Sequence, residues 1–123
     1  MRCSVTQPDQ RFKDDPAYQY ITEADEIPTY PEINQDDPIA RVRLFLTNSR
    51  FAYYVTALTE YGDTPVLTGF CVSPLGPDCD EEGDVAVEEL IELRDPLFQL
   101  PVERDHSWTP RPLSEIRKEL TND

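Results

Sequence analysis

Proline placement sets the first limit on this chain. Twelve prolines stand in 123 residues. Each fixes φ and removes an amide donor, so no long helix can run through them. Residues 1–38 hold five of these prolines (Pro8, Pro16, Pro28, Pro31 and Pro38), with nine acids and three bases. The expectation for this stretch is a loose start, one short helical turn near Tyr18–Glu26, and then an extended lead-in. Tyr18, Tyr20 and Tyr30 lie against the domain in this reading. The expected division is an acidic, proline-containing, partly ordered segment over 1–26 and a single domain over 27–123. The length has room for one core and not for two.

From Ile39 the pattern changes. Val42, Leu44 and Leu46 fall on one face and Arg41 and Arg43 on the other, the mark of a half-buried strand. After the Thr47-Asn48-Ser49 turn, Phe51–Leu58 is rich in aromatic and β-branched residues and reads as a second strand. Tyr61–Pro65 breaks it, and Val66–Val72 is a third strand, with Gly69 marking a bulge or a close backbone approach. Short connections make this an antiparallel meander. Pro74–Gly83 reads as a polar loop, Val85–Val87 as a short edge strand, and Glu88–Arg94 as a helix. Pro96 and Pro101 bracket an extended segment. A last helix begins near Pro112 and carries Leu113, Ile116 and Leu120 on one face. The expected class is α+β: a three- to four-stranded antiparallel sheet with two or three short helices packed on one face.

Charge narrows the partners. With 25 acidic and 11 basic residues the net charge is −14, which repels phosphates and anionic membranes. Direct nucleic-acid or membrane binding is therefore excluded, whereas a basic protein surface would be attracted. The same bias toward Asp, Glu and Arg, with only Lys13 and Lys118 as lysines, also fits a salt-adapted surface that serves solubility alone. No apolar run approaches the roughly 18 residues that cross a bilayer, and Met1–Val5 lacks a signal peptide's apolar stretch. The expected location is the cytoplasm. Cys3, Cys71 and Cys79 form no metal-type pair and read as reduced thiols.

Three stretches resemble an uncharacterised family of bacterial, plasmid and phage proteins, domain of unknown function 2958. They are Ile27-Pro28-Thr29-Tyr30 with Asp37–Phe45, then Phe51–Thr56, then Leu100–Asp105 with Trp108–Ile116. Together they cover about residues 27–117. Phe51 and Tyr53 stand where that family usually has tryptophans. Gly83-Asp84-Val85-Ala86 replaces its Gly-Tyr-Phe-Ser segment, and the acidic loop Asp78–Glu82 looks like a local elaboration. The resemblance implies a shared fold and a mobile-element setting, and no activity.

Three groups of residues are candidates for function. Asp78, Asp80, Glu81, Glu82, Asp84, Glu88, Glu89 and Glu92 are eight acids uninterrupted by a base. Residues 78–89 also place acids at positions 1, 3, 5 and 12 of an EF-hand-like loop, with Gly83 at position 6. A calcium-binding loop is thus one alternative, although Pro74, Gly76 and Pro77 exclude the usual entering helix. The cluster Glu103, Arg104, Asp105 and His106, beside Trp108, joins the only histidine to two carboxylates. It would suit a general base, yet no nucleophile, phosphate loop or second histidine accompanies it. Arg104 would equally serve to tie down the irregular segment 95–111. A stacking platform of Phe51, Tyr53, Tyr54 and Phe70 is not expected, because adjacent strand residues face opposite sides and no basic groove accompanies them.

The reading that follows is a non-enzymatic acidic binding or regulatory module. It docks on a basic, nucleic-acid-binding protein, in its sharpest form as a DNA mimic that inhibits a host defence protein. A small enzyme centred on Glu103, Asp105 and His106, and a salt-adapted structural domain, are the alternatives. No cofactor or metal is expected, and no residue is assigned to catalysis.

Overall fold

The computed structural model describes residues 5–12, 14–29, 36–61 and 64–121. Within them the alternation after Ile39 becomes the middle of a sheet. In chain order the strands are β1 (Val5–Thr6), β2 (Gln19–Ile21), β3 (Ile39–Ala40), β4 (Val42–Phe45), β5 (Ala52–Tyr61), β6 (Thr64–Val72) and β7 (Glu81–Ala86). Helix α1 (Val87–Glu92) follows, then β8 (Glu103–Arg104), β9 (Arg111–Pro112) and helix α2 (Leu113–Thr121). The main sheet has the order β7-β6-β5-β4-β8, with every neighbouring pair antiparallel. Two small ribbons, β1-β2 and β3-β9, flank it.

The α+β class and the central meander β4-β5-β6 are as the sequence predicts. The sheet, however, has five strands, not three or four. β7 begins at Glu81, inside what reads as a polar loop, and β8 arises within the segment 95–111 that reads as irregular. Both lie at sheet edges, where a strand needs no alternating apolar face and so leaves no periodicity to find.

The helices also lie on opposite faces of the sheet rather than on one. β5 explains why. Tyr53 and Val55 join one buried cluster with Val42, Leu44, Leu67 and Leu90 of α1. Ala52 and Tyr54 join another with Phe70, Val72, and Leu113 and Ile116 of α2. A strand apolar on both faces requires cover on both.

The first face is completed by the N-terminal segment. Val5, Tyr18, Tyr20, Ile21 and Ile27 are buried in the same cluster. Gln7, also buried, donates its Nε2 to the Tyr20 hydroxyl at 3.2 Å and to the Ile91 carbonyl at 3.0 Å. In place of one helical turn near Tyr18–Glu26 there are two 3-10 turns, Pro16–Tyr18 and Glu23–Asp25, with β2 between them. The Asp15 carboxylate accepts from Ala17 N–H at the start of the first turn.

Gly69 meets both descriptions given for it. The β5-β6 register slips between Val55 and Ala57, so Thr56 has no opposite residue and donates its hydroxyl to the Thr68 carbonyl at 3.0 Å. Opposite that bulge, a Cβ on Gly69 would sit 2.0 Å from the Tyr54 carbonyl oxygen. Cys71 and Cys79 carry free thiols, and burial pushes the Cys71 thiol pKa up, while Cys3 and Tyr30 lie outside the described residues. No described helix is long and apolar enough to cross a membrane.

Candidate interaction surface

The acid-rich stretch folds as turn, strand and helix. Pro77–Cys79 is a 3-10 turn, residues 81–86 form the edge strand β7, and α1 begins at Val87. This overturns the calcium-loop alternative. A strand sends successive side chains to opposite faces, whereas a calcium loop converges its oxygens on one point. No three potential metal ligands gather among the described residues.

The eight acids divide by partner. Asp80 accepts from both terminal nitrogens of Arg50 at 2.7 Å and from Ser73 N–H at 2.7 Å. The Arg50 hydrogen bonds hold the Asp80 carboxyl below its ordinary pKa. Glu82 pairs with Arg117 of α2 at 2.9 Å, and Asp84 accepts from the Thr68 hydroxyl at 2.8 Å. Asp78, Glu81, Glu88, Glu89 and Glu92 are exposed, and their carboxylates have no hydrogen bond or ion pair with any described residue. On α1, Val87 and Leu90 turn inward, so Glu88, Glu89 and Glu92 face water.

Between this stretch and α2 runs a groove of about 680 Å³. Phe70 and Leu120 supply its apolar lining, and Arg50, Asp80, Glu82 and Arg117 its charges. Arg117 lies over the Phe70 ring, 5.0 Å from its centroid. Four of its charged groups pair with each other, Arg50 with Asp80 and Arg117 with Glu82, while Glu81 stands on the same wall without an ion pair.

A feature the sequence did not single out adjoins α1. Asp95 is fully buried. Its carboxylate accepts from Leu97 N–H at 3.0 Å, Phe98 N–H at 2.9 Å, Leu100 N–H, and Asn48 Nδ2 at 3.3 Å. Burial alone would raise its pKa, but these donors outweigh burial and lower it. The loop so held leaves Leu97 68% and Phe98 69% exposed. Asp95-Pro96, a turn-forming pair, was the available signal.

Residues 103–108 point in different directions, each to its own partner. Glu103 accepts from the Thr47 hydroxyl. Arg104 grips both oxygens of Asp25 at 2.7 and 2.6 Å and donates to the Tyr20 carbonyl at 3.2 Å. Burial would raise the Asp25 pKa, but Arg104 and Thr22 together bring it below the ordinary value. Asp105 accepts from Arg43 at 3.3 Å and from Ser107 N–H at 2.9 Å. His106 is exposed, with Nε2 2.8 Å from the Pro16 carbonyl, which can only accept, so Nε2 carries the proton. Trp108 donates Nε1 to the Ala40 carbonyl at 3.0 Å and packs between Tyr54 and Arg111. Arg104 thus fastens this segment to the N-terminal one.

The aromatic residues do not form a platform. Tyr53, Tyr54 and Phe70 are buried, Tyr53 on one face and the other two on the opposite face.

Comparison with curated proteins and with solved structures returned no match. The sequence matches one family model, described as a protein of unknown function (DUF2958), over residues 18–120. That span takes in β2 to α2 and with them the whole five-stranded sheet, and the chain belongs to the DUF2958 family.

Proposed function

We propose that this protein is a non-enzymatic binding module whose acidic strip docks on a basic protein surface. One observation carries the reading. Arg11, Arg43, Arg50, Arg94, Arg104, Arg111 and Arg117 are each spoken for by an internal ion pair. Asp78, Glu81, Glu88, Glu89 and Glu92, in contrast, are left without one. The strip's surplus negative charge is therefore available to a partner. In the sharpest form of the reading, the partner is a nucleic-acid-binding host defence protein, and the strip occupies its phosphate-binding face as a DNA mimic carried by a mobile element. Charge of this kind accelerates encounter and rejects like-charged partners, and it is weakened by salt.

The test is capture from nuclease-treated host lysate on the immobilised full chain, washed at low and then high salt. One near-stoichiometric basic protein, held at low salt and released at high, is the expected result. The variant E81Q/E88Q/E89Q/E92Q should lose that protein while keeping its fold. Equal capture by the variant would overturn the reading. A lysate yielding no specific protein would leave the acidity as a salt-adapted surface.

A further inference from the structure

Among the described residues, one edge of the main sheet is unpaired for the length of a strand. β7 ends the order β7-β6-β5-β4-β8, and among the described residues only β6 pairs with it. Glu81, Glu82, Gly83 and Asp84 are all exposed. Gly83 has no side chain, so its exposure is exposure of the main chain itself. In an antiparallel strand bonded on one side, alternate residues turn both N–H and C=O outward. The opposite edge differs: β8 is two residues long and has β2 and the Pro16–Tyr18 turn against it.

We propose that the outer edge of β7 accepts an extended, basic segment of a partner protein as a sixth strand. This deepens the reading above and rests on its identification of a basic partner. Main-chain hydrogen bonds would supply affinity and alternate side chains the selectivity, as in other strand additions. A second copy of this chain is the wrong occupant. Antiparallel pairing about Gly83 would set Glu82 of one copy against Asp84 of the other, and each copy brings a net charge of −14. Like charges directly opposite are destabilising, and acidic edges commonly guard against such self-pairing. Lysine or arginine beside Asp84, whose hydrogen-bond donor is the neutral Thr68 hydroxyl, turns that repulsion into cross-strand attraction, whereas Glu82 is already paired with Arg117.

Geometry adds a second preference. A Cβ on Gly83 would meet nothing within 4 Å, which leaves room on the Glu81–Gly83–Val85 face for a large side chain from the added strand. The Tyr53 hydroxyl shares its single proton between the Gly83 carbonyl at 2.6 Å and the Leu67 carbonyl at 3.1 Å, fixing β7 on β6 from beneath. The favoured segment therefore alternates basic residues, on the Asp84 side, with bulky ones.

The probe is a synthetic peptide of alternating lysine and valine, titrated into the full-length protein at low salt, with amide exchange of residues 81–86 followed by NMR. Expected are slowed exchange within β7 and at least tenfold weaker binding when alternate peptide nitrogens are methylated, which removes donors and leaves charge intact. Equal binding by the methylated peptide, with unchanged exchange in β7, overturns strand addition and leaves acidic docking standing. Methylation-sensitive binding that ignores salt and the E81Q/E88Q/E89Q/E92Q change supports strand addition and overturns the acidic-strip reading. No binding by either peptide overturns both.

Discussion

The carboxylate of Asp95, closed off from water, gathers the N–H groups of Leu97, Phe98 and Leu100 and the side-chain amide of Asn48. Gln99, within the same loop, has φ +58, an uncommon value for a residue other than glycine. Substituting Asp95→Ala would strand several main-chain donors, and the melting temperature should fall by about 10 °C, with faster amide exchange across 96–100. The pH response has a defined sign. The Asp95 carboxyl has a lowered pKa in the folded protein, so the stability it contributes is present above the unfolded value of about 3.9 and is lost as pH falls through the folded one. The difference in urea midpoint between wild type and Asp95→Asn should therefore be constant near neutrality and shrink as pH falls below about 4. Arg104 follows similar logic with a counterion. Arg104→Ala leaves the mostly buried Asp25 side chain without its two-pronged partner, and denaturant unfolding should show a loss of about 2 kcal/mol.

Two glycines on paired strands give opposite expectations at the scale of the element. Gly69 and Gly83 face each other across β6 and β7. Gly69→Ala drives a Cβ to 2.0 Å from the Tyr54 carbonyl oxygen, so β5 and β6 must separate, and urea denaturation should show a loss of about 3 kcal/mol. Gly83→Ala meets open space and should lie within about 0.5 kcal/mol of wild type. How legible each element is follows from its surroundings. β4, β5, β6 and α2 bury at least one face each, and burial imposes the periodicities from which they were predicted. β7 buries little beyond Val85 and Ala86, and β8 is held by partners far away in sequence, Thr47 for Glu103 and Asp25 for Arg104. Neither leaves a local pattern.

Across the whole molecule the unpaired acids repel one another, and salt screens that repulsion over about 10 Å at 0.1 M. The melting temperature should rise between about 20 mM and about 0.5 M sodium chloride. The E81Q/E88Q/E89Q/E92Q variant should show a smaller rise and be no less stable than wild type at low salt, as scanning calorimetry can measure. A flat salt response in the wild type would mean that the surplus charge is spread too thinly to form a strip. The candidate surface was only partly legible. The run from Asp78 to Glu92 stood out as a block of charge, but Asp80, Glu82 and Asp84 have partners, Arg50, Arg117 and Thr68, that are distant in sequence. Nothing in the local sequence separates these three from the five acids left free.

The sequence by itself determined the α+β class, the central meander, the closing helix, the surplus of acid and the family, because side-chain periodicity, proline geometry, charge count and motif order are properties of the chain. Tertiary structure alone decided which acids find partners, that helices cover both faces of the sheet, that Gln7 and Ile21 are buried with the core, and that among the described residues β7 pairs with β6 alone. Those outcomes depend on contacts between residues tens of positions apart, which no local pattern encodes.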